Sequence, residues 1–303
     1  MSSCGGMRRL VPVAGLALVT LAGPACSVNI DHEGYIEHDE KRFDAPSAVD
    51  LHLDTFDGSI EVRSWDRAEI SVSIEKRGPT KEAVSHIEIV ANRSGDRIDL
   101  EARYSGPRGG FTFGYGHSPS ARLIANVPRK TNLVVKTGDG SLRVERVNGR
   151  LELRTGDGGI KAIETEGDLL AETNDGTIEI EDVAGQVEAR TDDGSVHLSG
   201  TPSILRARSG DGSVVLRIRR GAVMAADWTV ATSDGSISVE LPDGFSAEIE
   251  ADPGSGGRAR SELALVNVSG GTRDNRTLRG RFGDGGHTLR IRTGDGSIKL
   301  TKY

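Results

Sequence analysis

Apolar and polar residues alternate from Leu142 to Thr155. Leu142 and Val144 interleave with Arg143 and Glu145, Asn148-Gly149 interrupts, and Leu151, Leu153 and Thr155 then interleave with Glu152 and Arg154. Period-two alternation bounded by glycine signals predicts half-buried strands of about six residues. The same strand–turn–strand–turn unit returns in four further copies, through Leu169-Ala171-Thr173, Val187-Ala189-Thr191 and Leu205-Ala207-Ser209. Its Asp-Gly step recurs at Asp139, Asp157, Asp175, Asp193 and Asp211, always 18 residues apart, with further copies at Asp57, Asp234 and Asp295. A fixed period of this kind marks a repeat architecture.

Two architectures satisfy the pattern. Each unit is either one coil of a β-solenoid, with equivalent strands stacked in parallel, or a hairpin in an up-and-down meander. Asp-Gly and Asn-Gly are tight-turn dipeptides and on their own lean towards hairpins. The strict period leans the other way. So does the consistent difference between the two turns, Thr-x-Asp-Gly at one and Asn148-Gly149, Glu166-Gly167, Ala184-Gly185 or Ser199-Gly200 at the other. Stacking like on like would also build an inward Thr/Ser ladder through Thr137, Thr155, Thr173, Thr191 and Ser209. The expected fold is therefore all-β, a β-solenoid (β-helix) of about 18-residue coils, with the meander as the alternative. The few aliphatic side chains of one unit cannot offset the entropy of ordering it, so units need neighbours above and below. Atypical capping segments are expected before residue 131 and after residue 217.

The N-terminus reads as an address. Arg8 and Arg9 precede an apolar run from Leu10 to Ala22, short for a membrane span, and Gly23-Pro24-Ala25-Cys26 follows. Residues 1–25 are expected to be a signal peptide, with Met7 as a possible start of translation. Cys26 is the candidate lipid-attachment residue of a lipoprotein, although Gly23 stands where such signals usually carry an aliphatic residue. Cleavage after Ala25 to give a free secreted protein is the alternative. The other cysteine, Cys4, lies in the removed segment, so no disulfide framework is expected. Residues 26–47 are polar and aperiodic and read as a tether. Residues 48–303 read as the folded domain.

Without residues 1–25, 36 basic residues face 45 acidic ones. There is no Lys/Arg block, so nucleic acid is not an expected partner. Aromatic residues make up only 4%, which suits a turn-dense repeat better than a packed enzyme core. Within the domain, Pro79-Thr80 signals one helical turn. Trp65, alone between two strands, reads as a corner plug of the core. Residues 252–262 read as a flexible insertion.

The run Asp57-Gly58-Ser59-Ile60-Glu61-Val62-Arg63-Ser64-Trp65, continuing to Ile70-Ser71-Val72, resembles the opening of bacterial adhesin-like proteins of the β-strand-repeat type. Gly283-Asp284-Gly285-Gly286-His287-Thr288-Leu289 to Thr293-Gly294-Asp295-Gly296-Ser297-Ile298 is similar to their end. The resemblance covers roughly residues 48–303. It implies a β-solenoid exposed on the cell envelope and brings no catalytic residues.

The chemistry on offer is sparse. Residues 105–120 set Phe111, Phe113 and Tyr115 among small residues. They form either an edge or cap segment, or an exposed loop whose aromatic faces stack on a glycan or protein. A stacked file of Asp139, Asp157, Asp175, Asp193 and Asp211 could be bridged by Ca²⁺. The simpler reading is that each aspartate caps its own turn and projects into water. The seven histidines show no metal spacing, and no nucleophile elbow, phosphate loop or His-Glu-x-x-His occurs. Catalytic residues, cofactors and metals are therefore not expected. The function read from the sequence is a non-enzymatic envelope protein that displays a surface to envelope polysaccharide or a surface protein, held to the membrane by its lipid. A glycan-binding or glycan-processing β-helix is the alternative.

Overall fold

The computed structural model describes residues 28–31, 34–45, 49–107, 118–269 and 277–303. Equivalent strands of successive units pair in parallel. Leu151 stands opposite Leu133 on one side and Leu169 on the other, and Leu169 opposite Val187. Leu142, Ile160 and Ile178 stack in the same way. Each of these offsets is 18 residues, so the chain is a solenoid-like parallel stack rather than a meander. The inward positions form continuous aliphatic rows, with Val135, Leu153, Ala171 and Ala189 at most 1% exposed.

The Asp-Gly corner is built differently from the turn chemistry that its dipeptide suggests. Of its glycines only Gly58 has a positive φ. Gly140, Gly158, Gly176, Gly194 and Gly212 are required by contact between coils. A Cβ on any of them would fall well inside 3.0 Å of the carbonyl oxygen of the glycine one coil below. The buried hydroxyl ladder bonds each corner to the one a coil below and accepts an N–H of its own corner at Thr173, Thr191 and Ser209. Thr173 Oγ1 donates to Gly158 O at 2.8 Å and Thr191 Oγ1 to Gly176 O at 3.0 Å. Ser209 Oγ donates to Gly194 O at 2.7 Å. Asp139, Asp157, Asp175, Asp193 and Asp211 are exposed at the tips. The second corner turns on a left-handed residue at Arg146, Glu164 or Asp182, three positions before Gly149, Gly167 and Gly185.

At both ends the spatial order departs from the chain order. Val49–Thr55 lies between Arg97–Tyr104 and Thr131–Thr137, so the coil contributed by residues 97–128 lies outside the one that precedes it. Thr288–Thr293 is likewise inserted between Trp228–Thr232 and Ala247–Asp252. Antiparallel strands cover the outer coils. Glu69–Gly78 pairs with Ser120–Pro128, Ile87–Ser94 with Arg97–Tyr104, and Leu278–Phe282 with Ala247–Asp252. A sheet edge that is paired in this way no longer offers free N–H and C=O groups.

Three local expectations change. Gly34–Asp44, read as tether, is a strand paired along its length with Glu69–Gly78. Its alternation is mostly polar because much of it is solvent-facing, so apolar periodicity could not reveal it. Within the segment read as a flexible insertion, Arg258–Ser261 pairs in parallel with Ser297–Leu300. Trp65 is only half-buried. Its Nε1 donates to Glu69 O at 2.8 Å and the Arg67 guanidinium lies 4.8 Å from the ring centroid, so it braces its own turn rather than the core. The helical turn is present as Lys81–Ser85, capped by Thr80.

Candidate ligand-binding surface

Cys26, Phe111, Phe113 and Tyr115 lie outside the described residues. The base from which the aromatic loop departs is described. Tyr104 stacks on Phe56 with ring centroids 5.5 Å apart, and His86 meets Tyr104 in an edge-on geometry at 6.3 Å. Both Phe56 and Tyr104 pack against the small cluster of Ile87, Ala102 and Ala121. Ser105 N–H donates to His86 O at 3.0 Å, which ties the start of the loop to the helical turn. An aromatic platform therefore stands beside Ser105, at one end of the stack.

The lateral faces carry the outward residues of each strand in files, and most of their charges are used on one another. Arg154 Nε lies 3.1 Å from Glu152 and 3.2 Å from Glu172. Lys161 Nζ lies 2.8 Å from both Glu179 and Glu181. Its hydrogen bonds raise its own affinity for the proton, and they hold the Glu181 carboxyl below its ordinary range. Exposed pairs of this kind contribute little each, but they leave the face locally neutral. The corner aspartates do not neutralise one another. Partial burial, and then the neighbouring Asp139 charge, push the Asp57 carboxyl above its ordinary value. Among the described residues no group of three His, Cys, Asp or Glu side chains is placed to hold a metal ion.

One part of a face departs from this neutrality. Arg206 and Arg208, exposed on Val196–Ser209, stand beside the short side chains of Thr229 and Ala231. The sequence pattern did not single them out, because an outward arginine in an alternating strand looks the same whether or not it has a partner. Alignment of the units by their outward positions is the signal that would have found them.

A model of the Toastrack DUF4097 domain matches residues 49–301, which span the parallel stack. The chain belongs to the Toastrack DUF4097 family. The likeness to bacterial adhesin-like proteins is carried by this membership. No curated protein matches the sequence. Among solved structures, this Toastrack chain is similar to a "putative lipid binding protein" of Parabacteroides distasonis at 18% identity, with 87% of this chain and 96% of that chain covered and a TM-score of 0.44. It is similar to a "putative adhesin" of Bacteroides fragilis at 12% identity, with 87% and 96% covered and a TM-score of 0.38. A "putative cell adhesion protein" of Clostridium sporogenes is 14% identical, with 88% and 100% covered and a TM-score of 0.28. Likenesses of this size carry nothing about what the Toastrack stack binds.

Proposed function

We propose that this Toastrack-family chain is a non-enzymatic, exported protein of the cell envelope, whose β-solenoid of 18-residue coils, capped at both ends, is a binding surface. A lipid on Cys26 holds it at the outer side of the cytoplasmic membrane, and its partner is envelope polysaccharide or a surface protein. The observation that supports this reading is the stack itself. Equivalent outward residues stand in registered files on long lateral faces, the geometry by which solenoids hold extended partners. The apolar run before Cys26 supports export. Among the described residues no helix is long and apolar enough to cross a membrane.

Two measurements test the reading. Cys26→Ser is expected to move the protein from the membrane pellet to the soluble fraction; an unchanged pellet fraction removes the lipid anchor. Purified protein, and a variant lacking residues 108–117, are incubated with separated peptidoglycan, surface polysaccharide and membrane-protein fractions. Saturable retention on one fraction, lost with the loop, is expected. Absence of retention on every fraction overturns binding to the envelope.

A further inference from the structure

Two neighbouring files of outward residues cross the C-terminal half of the stack. One runs Glu188, Arg206, Thr229, Arg290, Glu250 in lateral register, and the other Arg190, Arg208, Ala231, Arg292, Asp252. At their centre Thr229 and Ala231 are too short to fill the space beside the long arginines. A depression of about 640 Å³ opens there, lined by Arg190, Arg206, Arg208, Thr229 and Ala231 and, on the Arg190 side, by Glu188 and Asp192. Arg290 and Arg292 stand on the next strand beyond its floor.

The arginines differ in how their charge is used. Arg190 is tied to Glu172 and Glu188. Arg290 is tied to Asp227 at 3.1 Å and to Glu250 at 3.6 Å. Asp227 also accepts the Thr288 N–H at 2.9 Å, a bond that holds its carboxyl below the ordinary range and ionised beside Arg290. Arg206, Arg208 and Arg292 make neither an ion pair nor a side-chain hydrogen bond among the described residues. Two uncommitted guanidinium groups, those of Arg206 and Arg208, thus line a floor of one hydroxyl and one methyl, with Arg292 on the next strand beyond it, on a protein of net charge −7. Arg206 and Arg208 are two residues apart on one strand, about 6.6 Å, and about two strand spacings, ~9.6 Å, separate Arg208 from Arg292.

We propose that this trough binds the oxyanion groups, carboxylates or phosphates, of an acidic glycan polymer. Planar guanidinium forks match both oxyanions with two parallel hydrogen bonds. The short floor lets a chain lie against the strand, and the two-residue spacing presents successive arginines to successive charges. A lipid surface is disfavoured, because interfacial docking needs apolar anchors. The large exposed apolar residues of the described chain are Val215, Val223, Val266, Val268 and Tyr303, none of which lines the trough. The site is independent of the aromatic loop and of Cys26, so it stands or falls separately from binding through residues 108–117.

The test titrates the purified protein with labelled polygalacturonate (carboxylates) and inorganic polyphosphate (phosphates), with dextran and mixed phosphatidylcholine–phosphatidylglycerol vesicles alongside. Saturable, salt-sensitive binding to either charged polymer is expected, and the polymer bound names the oxyanion. The double variant Arg206→Gln/Arg208→Gln, which breaks no ion pair or side-chain hydrogen bond among the described residues, should weaken it at least about tenfold. Thr229→Glu, which adds a carboxylate to the floor, should do the same. Arg217→Gln/Arg220→Gln, on another face, should leave it unchanged. Circular dichroism of each variant should match the parent. The proposal is overturned if neither polymer binds, if the trough variants bind as the parent does, or if only the vesicles depend on the trough arginines.

Discussion

The hydroxyl ladder is not uniform, and the difference can be measured. Thr191 Oγ1 donates to Gly176 O or Asn174 O, both at 3.0 Å, and accepts the Gly194 N–H at 3.1 Å. Thr155 Oγ1 donates to Gly140 O at 2.7 Å, with Gly138 O at 3.2 Å, and accepts from no N–H of its own turn. Valine has nearly the shape of threonine but can make none of these bonds. In Thr155→Val one donated bond is lost, worth about 1 kcal/mol. In Thr191→Val the same bond is lost, and the buried Gly194 N–H is left without an acceptor, a further cost of about 1–3 kcal/mol. The expected losses are about 1 kcal/mol for Thr155→Val and about 2–4 kcal/mol for Thr191→Val. Thr191→Ser should recover most of the difference, because Ser209 makes the same pair of bonds, donating at 2.7 Å and accepting at 2.9 Å. Urea denaturation followed by far-ultraviolet circular dichroism reads the three variants, with unchanged m-values as the check that only stability has moved. Equal losses in the two valine variants would refute the assignment of a second, accepting role to Thr191.

Four further outcomes follow from the same geometry. Gly158→Ala drives a Cβ onto the Gly140 carbonyl and should lose about 1–3 kcal/mol. Gly159→Ser, at a position where the other units carry Ser or Thr and the nearest atom to a Cβ is Thr177 O at 3.3 Å, should be neutral or stabilising in the same denaturation assay. Burial and the Asp139 charge raise the Asp57 carboxyl in the folded state. Its contribution is thus fully favourable only below the unfolded value and is lost as pH rises through the folded one. Asp57→Asn should therefore melt above the parent at pH 7, and the gap should close as the pH is lowered below the ordinary aspartate range. Trp228, fully buried, with its ring 5.5 Å from Phe245 and its Nε1 donating to Ser203 O at 3.1 Å, should cost about 3–5 kcal/mol as Trp228→Ala, read from the denaturation midpoint.

Much of the stack is written into the sequence, because its determinants are local and repeated. Alternation fixes which face of Leu151–Leu153 or Val187–Ala189 is buried, and the 18-residue recurrence of Thr-x-Asp-Gly fixes where the chain turns. The inward Thr/Ser ladder follows from those two facts. The role of each corner residue did not follow. Asp-Gly suggested a turn held by aspartate and by a left-handed glycine. In the stack the threonine holds the turn, and the glycine is there because the next coil passes too close for a Cβ. That contact does not exist until coils are stacked, so no property of a single unit reveals it.

The ends and the candidate sites belong to tertiary structure for the same reason. Val49–Thr55 and Arg97–Tyr104 become neighbours only when residues 97–128 pass outside the earlier coil. Thr288–Thr293 reaches its place only by insertion between Trp228–Thr232 and Ala247–Asp252. Such pairings join residues tens of positions apart through backbone hydrogen bonds that any sequence can make, so alternation cannot choose among them. The arginine trough is lined by strands that stack in chain order, and the insertion sets Arg290 and Arg292 beyond its floor. Arg206 and Arg208 lie more than 80 positions before Arg290 and Arg292, and only the short residues of the strand between them open the space. By itself the sequence determined the repeat, its period, its buried face and its family. The order in which coils stack, and hence which outward charges meet a partner and which are left free, was decided by the fold.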